Sequence, residues 1–316
     1  GWRQGWLVHP PALGDVFGNL IEYNTSGGQS FLQYGCLAAL TRGEPFVEAL
    51  VARCGQAAEL ERLTVPATSE RVVYGGTLRP ATPPSEPAFE SLDGMQNLTG
   101  LSDLAMFNRL ITDISPLRHL TNLTSLVLHT NWISDIEPLS ALVNLERLII
   151  SENPISDISP LAGLTKLRQL HVHGLYPNQL NYWLAMNDGR DPDVVFNGIT
   201  DISALAGLTE MRLLRIHLNA IEDISPLANL TKLTHLRIYD NQIEDLSPLA
   251  GMTDLVLLWA HGNRIKDISA LSGMHDMQQL SLDDNAISDI SALAGMTGMR
   301  HLFLTNNVIE DIAPLR

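Results

Sequence analysis

Leu230-Thr-Lys-Leu233-Thr-His-Leu236-Arg-Ile238-Tyr-Asp-Asn241-Gln-Ile243-Glu-Asp245-Leu246-Ser-Pro-Leu249-Ala-Gly251 is one full period of a repeat. Numbered 1 to 22, it is apolar at 1, 4, 7, 9, 14, 17 and 20, with Asn at 12 and Asp at 16. Positions 7 and 9 have the two-residue period of a strand, so Leu236 and Ile238 point inward while His235, Arg237 and Tyr239 point outward. The remaining apolar positions come every three residues, the spacing of short 3₁₀ turns. One strand and one return cannot bury their own apolar side chains, so such units must stack.

The aspartate repeats at Asp113, Asp135, Asp157, Asp201, Asp223, Asp245, Asp267, Asp289 and Asp311, with Gln179 in the vacant slot. Asparagine repeats at Asn131, Asn153, Asn197, Asn219, Asn241, Asn263, Asn285 and Asn307. An inward amide at that position satisfies backbone groups where the strand bends, and stacked amides make a structural ladder. The run Asp-Ile-Ser-Pro-Leu (113 to 117, 157 to 161, 223 to 227) reads as a turn start, with Ser as a cap and Pro inside the first turn.

Taken together, Leu-Thr-x-Leu-x-x-Leu-x-Leu-x-x-Asn-x-Ile-x-Asp-Ile-x-Pro-Leu resembles the leucine-rich repeats of bacterial internalins over residues 98–316. The expected fold is an α/β solenoid: a horseshoe with a parallel concave β-sheet, short 3₁₀ or irregular convex returns and a helical amino-terminal cap. The resemblance implies a secreted or surface-attached, non-catalytic protein that binds a partner on its concave face.

Three regions follow. Residues 1–42 carry no interpretable motif. Residues 43–97 form a cap and first irregular repeat: Phe46, Val47, Leu50 and Val51 have helical spacing, and Leu63 and Val65 open a first strand. Its return is Phe89, Leu92 and Met95, reached through a Pro-rich loop (66–87) roughly 19 residues longer than a repeat needs. Residues 98–316 hold about ten windows, irregular over 175–196 and truncated at the carboxyl end. Within the irregularity, Asn178 to Met186 reads as a helical return and Asp193 to Val195 as a short strand. A 22-residue insertion is the alternative. Tyr182 and Trp183 pack onto the flank in the first reading.

The formal charge of −15 is mostly turn chemistry, since nine acids belong to the grid. It argues against a nucleic-acid partner. No stretch is long and apolar enough to span a membrane. Gly1 and Arg316 read as the ends of a piece of a longer multidomain chain, monomeric as a module. Cys36 and Cys54 admit either a disulfide in the cap or two buried thiols. Phosphate-loop, hydrolase and metalloprotease motifs are lacking, and no cofactor is implied. The Asn-Leu-Thr triplets at Asn97, Asn122 and Asn229 fit a glycosylation pattern but arise from the repeat itself.

Function is expected at outward positions 6, 8 and 10, where the windows differ. Seven of ten histidines lie there: His129, His171, His173, His217, His235, His261 and His301. Four share position 10 at 44-residue spacing, and intervening windows place Glu152, Asp240 or Asp284 just before the Asn. A duplication of unit pairs explains that period as well as selection for a surface does. The candidate partner-binding set is Arg215, His217, His235, Arg237, Tyr239, Leu257, Trp259, His261, His301 and Phe303, with Leu213 beside it, the composition of an interface hot spot. The partner is a protein or a glycan, and the location extracellular or on the cell surface. An intracellular regulatory subunit, for example of a phosphatase, is the alternative. A remoter one is a metal site at His171, His173 and Asp193, with Asp193 as cross-strand neighbour of His171. Histidines beside acids also predict binding that changes between pH 5 and 7.5.

Overall fold

The computed structural model describes residues 62–65, 92–107, 111–175 and 198–316. Ten strands form one parallel sheet in sequence order: β1 (Arg62–Val65), β2 (Asp103–Met106), β3 (Ser125–Val127), β4 (Arg147–Ile149), β5 (Gln169–His171), β6 (Leu213–Arg215), β7 (His235–Arg237), β8 (Leu257–Trp259), β9 (Gln279–Ser281) and β10 (His301–Phe303). Each strand is a three- or four-residue piece because the chain must leave the sheet once per coil. Returns run through 3₁₀ turns such as Ser115–His119, Ser225–Leu227 and Ser247–Leu249, with proline in the first turn where its missing N–H costs nothing. The result is a leucine-rich repeat solenoid.

The core is the repeat pattern made physical. Leu230, Leu233, Leu236, Ile238, Ile243, Leu246 and Leu249 are all buried, as are their equivalents in the coils on either side. Leu92 and Met95 close the first return, and β1 lies where the first strand is expected.

Two polar columns finish each coil. The grid aspartate accepts the N–H two residues ahead: Asp245 Oδ1 from Ser247 (2.7 Å), and likewise from Asp113 to Asp311 in all nine. Serine therefore does not cap the turn. It is the first turn residue, and in three coils its hydroxyl donates back to the aspartate. These hydrogen bonds favour the carboxylate and hold Asp157, Asp201, Asp245 and Asp267 below the usual range.

Asparagine bridges coils. Asn241 Nδ2 donates to Ile238 O (3.0 Å) in its own coil and to Ile216 O (3.2 Å) in the one before. Its Oδ1 accepts the Ile221 N–H (3.1 Å). Asn131, Asn153, Asn219, Asn263, Asn285 and Asn307 make the same set. Asn197 lies outside the described residues.

Position 11, just before the asparagine, is left-handed. Thr130, Glu152, Leu218, Asp240, Asp284 and Asn306 have φ between 51° and 62°, and Gly262 has φ 63°. This turn swings the chain off the sheet so that the asparagine points inward.

One expectation is corrected. β5 pairs directly with β6, His171 against Arg215, so the ten windows of residues 98–316 supply nine strands of this sheet. No strand separates them, and the cross-strand neighbour of His171 is Arg215 rather than Asp193. The coil begun by β5 is completed by Ile199, Ile202 and Leu205, all buried. Asn219 makes the join, donating to Val172 O (3.3 Å) and accepting from Ile199 N–H (3.4 Å), the longest such contacts in the ladder. Leu175, at position 12, and Gly198, at position 13, bracket one whole period, which matches the insertion reading. The proposed helix and strand there, Tyr182 and Trp183, the amino-terminal cap, the Pro-rich loop and both cysteines lie outside the described residues.

Candidate functional site

Nine short strands of the repeat array present three outward columns, at positions 6, 8 and 10. Across β5 to β8, position 8 reads His171, Arg215, Arg237, Trp259, in direct register from strand to strand. Position 6 over the same strands reads Gln169, Leu213, His235, Leu257. The Arg237 guanidinium lies 4.0 Å from the centroid of the Trp259 ring, a cation–π contact that fixes both groups. Arg215, Arg237 and Trp259 are half-buried, His235 is exposed and Leu257 is nearly covered. His301 and Phe303 stand two strands beyond β8; Phe303 is 50% exposed.

Position 10 is not the open column its sequence pattern implies. His173, His217, Tyr239 and His261 form a continuous stack with ring centroids 4.1, 4.1 and 4.3 Å apart. Because strands repeat at about 4.8 Å, flat rings at one position tilt into contact and cover each other. His217 is left 2% exposed and Tyr239 4%. Both brace the rim of the sheet instead of offering a free face. The direct pairing of β5 with β6 makes this possible, bringing His173 against His217 although 44 residues separate them. A second stack, Phe107 on His129 at 4.8 Å, starts the column, and Ser151 interrupts it.

The imidazoles here are neutral. Burial holds His129 at about 4, with the nearby Arg147 charge adding to the effect. Burial, then Arg215 and His173, hold His171 at about 3, and burial holds His173 at about 4. His217 is pushed down still further, and His235 and His261 are lowered, all mainly by burial. The buried rings therefore titrate below the pH 5 to 7.5 window that their sequence setting predicts. Their strongest charged neighbours are arginines more often than acids. Glu152, whose carboxylate accepts from Thr130 (2.9 Å), and Asp240 are raised by burial at position 11, next to the stacked column.

Ser281 Oγ lies 2.9 Å from His261 Nδ1 and donates to Asp283 Oδ2 at 3.1 Å. In a hydrolytic triad the imidazole sits between hydroxyl and carboxylate. Here the hydroxyl sits between, giving its proton to the acid, so the imidazole is not placed to activate it. Among the described residues no three His, Cys, Asp or Glu converge as a metal site, and Asp193 lies outside them. His171 Nε2 is instead engaged by Gln169 Nε2 (3.0 Å), and His173 Nδ1 by the Gly174 carbonyl (3.0 Å).

The described residues contain no helix long and apolar enough to cross a membrane. The family model for leucine-rich repeats in two copies matches residues 96–141, 143–181, 231–273 and 275–316. The structure of internalin C2 from Listeria monocytogenes is 36% identical, with a TM-score of 0.56, covering 66% of this chain and 83% of that one. The functional domain of InlJ from the same organism is 18% identical, with a TM-score of 0.54, covering 81% and 56%. The Arabidopsis receptor kinase HAESA, solved with the peptide hormone IDA and the co-receptor SERK1, is 20% identical, with a TM-score of 0.55, covering 70% and 36%. These last two likenesses show the fold alone. A search against curated proteins gives no match. The repeat signature, its coil geometry and the internalin C2 match agree: this chain belongs to the internalin-like bacterial leucine-rich repeat proteins.

Proposed function

We propose that the chain is an extracellular or surface-displayed binding module that recognises a protein or glycan partner on the concave face of its sheet. The carrying observation is the Arg215, Arg237 and Trp259 column on three adjacent strands, with Arg237 stacked on the indole at 4.0 Å. A half-buried tryptophan and two arginines at outward strand positions are residues that dominate binding energy when covered. The packing of the coils does not need them, because positions 7 and 9 already fill the interior. The internalin kinship supports an interaction role, and the HAESA complex shows that this kind of fold accommodates a peptide in another protein.

Affinity capture from a surface-protein extract, with wild type beside Arg237→Ala/Trp259→Ala, tests the reading. The wild type retains a partner that the variant loses. Equal recovery by both, at unchanged thermal stability, refutes the assigned surface.

A further inference from the structure

Trp259, Ser281 and Phe303 are register partners at outward position 8 of β8, β9 and β10. Two aromatic residues therefore flank a serine, and their backbones stand two strand spacings, about 9.6 Å, apart. A ring held between two others needs two contacts of about 3.5–4 Å each, and outward side chains on a concave sheet converge from the spacing of their backbones. Phe303 is 50% exposed and Ser281 only 6%, so the pair rises on either side of a low floor. The Arg237 guanidinium reaches the indole from β7 and covers one face, which leaves the other face on the side away from β7, where Ser281 lies. The indole is turned 51° from the His261 imidazole and stays out of the rim stack.

The floor is polar and held in place. Ser281 Oγ donates to Asp283 Oδ2 at 3.1 Å, and Asp283 Oδ1 accepts the Thr305 N–H at 2.7 Å, which fixes the carboxylate beside the gap. Each of its oxygens keeps a lone pair for a further donor. Gln279, at position 6 of the same strand, is half-buried, and among the described residues no side chain hydrogen-bonds its amide.

We propose that the gap between Trp259 and Phe303 holds one ring of a neutral oligosaccharide, its C–H faces on the aromatic rings and its hydroxyl groups on Asp283 and Gln279. The inference rests on the concave-face reading above and gives the partner a chemistry. A pyranose is apolar across its faces and polar around its edge, which matches aromatic walls over a hydrogen-bonding floor. An apolar peptide side chain in the same gap would cover the carboxylate and the amide without replacing their water, which is costly. A sulfated or carboxylated sugar would bring a second negative charge against Asp283.

The test uses the full chain with four neutral probes: cellotetraose, maltotetraose, chitotetraose and β-1,4-galactotetraose. A heparin tetrasaccharide and a soluble peptide containing phenylalanine and proline are run beside them. Calorimetry measures affinity, and saturation-transfer NMR reads which ligand protons meet protein rings. At least one neutral probe binds, and its ring C–H protons take up the saturation. Trp259→Ala and Phe303→Ala each weaken it about tenfold, and Gln279→Ala about threefold. Arg118→Gln, on a convex turn where Arg118 pairs with Glu137, leaves binding unchanged. Phe303 is exposed, so Phe303→Ala carries the test should Trp259→Ala misfold. Binding by none of the four neutral probes, or equal binding by wild type and Phe303→Ala, overturns the proposal. Tighter Phe303-dependent binding of the heparin tetrasaccharide or of the peptide overturns the neutral-sugar assignment. If the sugars fail while Arg237→Ala/Trp259→Ala still loses its captured partner, this inference falls and the surface reading stands.

Discussion

Replacing Asn241 by alanine should be among the most destabilising single changes in the array. The amide closes contacts to Ile238 O, Ile216 O and Tyr239 O and accepts the Ile221 N–H, at 3.0 to 3.3 Å. The side chain is 8% exposed, so water has little access to the groups left behind. The Ile221 N–H loses its acceptor outright, whereas the Ile216 and Ile238 carbonyls each keep a second donor, Asn219 Nδ2 and Asn263 Nδ2. At roughly 1–3 kcal/mol for the one buried group left unsatisfied and about 0.5–1 kcal/mol for each of the other lost bonds, the cost is about 2–4 kcal/mol. Asn285 makes the same bonds but is only half-buried, so Asn285→Ala should cost about half as much. Guanidinium unfolding followed by circular dichroism measures both. The midpoint shifts are interpretable only if the slope is preserved, since long arrays can lose cooperativity. A loss below about 1 kcal/mol for Asn241→Ala would refute the bridging account. So would equal losses at the two sites, because the argument ties cost to exclusion of water.

Two further outcomes follow from the same geometry. His129 has a folded pKa of about 4 against 6.5 when free, so stability is full above pH 6.5, falls progressively as pH drops from 6.5 towards 4, and loses nothing more from this group below 4. By pH 5 that loss is about 2 kcal/mol for His129 alone, with His171 and His173 adding to it. Thermal melts should fall steadily from pH 7 to 4.5, and a flat profile would contradict the buried, neutral rings. Removing residues 176–197 joins position 12 to position 13 and restores one unbroken period. The shortened chain should keep its far-ultraviolet spectrum and its melting cooperativity, and collapse to an unfolded spectrum would show that the join at Asn219 depends on that segment.

The scaffold was legible because stacking requires each coil to meet the same surroundings, so Leu236, Asn241 and Asp245 each recur at one fixed spacing. The irregular coil was not, because the excursion after Leu175 is one period long and leaves the grid arithmetic intact. Its local signals are a leucine where asparagine belongs, Pro177 in place of an isoleucine and Gln179 in the aspartate slot. Burial at position 10 was also hidden. Strand alternation correctly sends Tyr239 outward, but its exposure is set by His217 and His261, one coil to each side. The outward columns gave the candidate residues, and the structure divided them. Arg215, Arg237 and Trp259 are half-buried at outward position 8, while His217 and Tyr239 are taken into the rim stack.

The left-handed residue before each asparagine has a practical consequence for engineering. Six coils hold this conformation with a side chain that pays a steric penalty, about 1–2 kcal/mol for residues other than glycine and less for asparagine or aspartate. Gly262 shows the relaxed solution, and there an added Cβ would also run into the Asp240 carboxylate. Thermostability is therefore held in reserve at a column behind the sheet rim, available to substitution without altering any residue at positions 6 and 8. A heat-resistant scaffold and a redesigned recognition surface could be built on this chain as separate tasks.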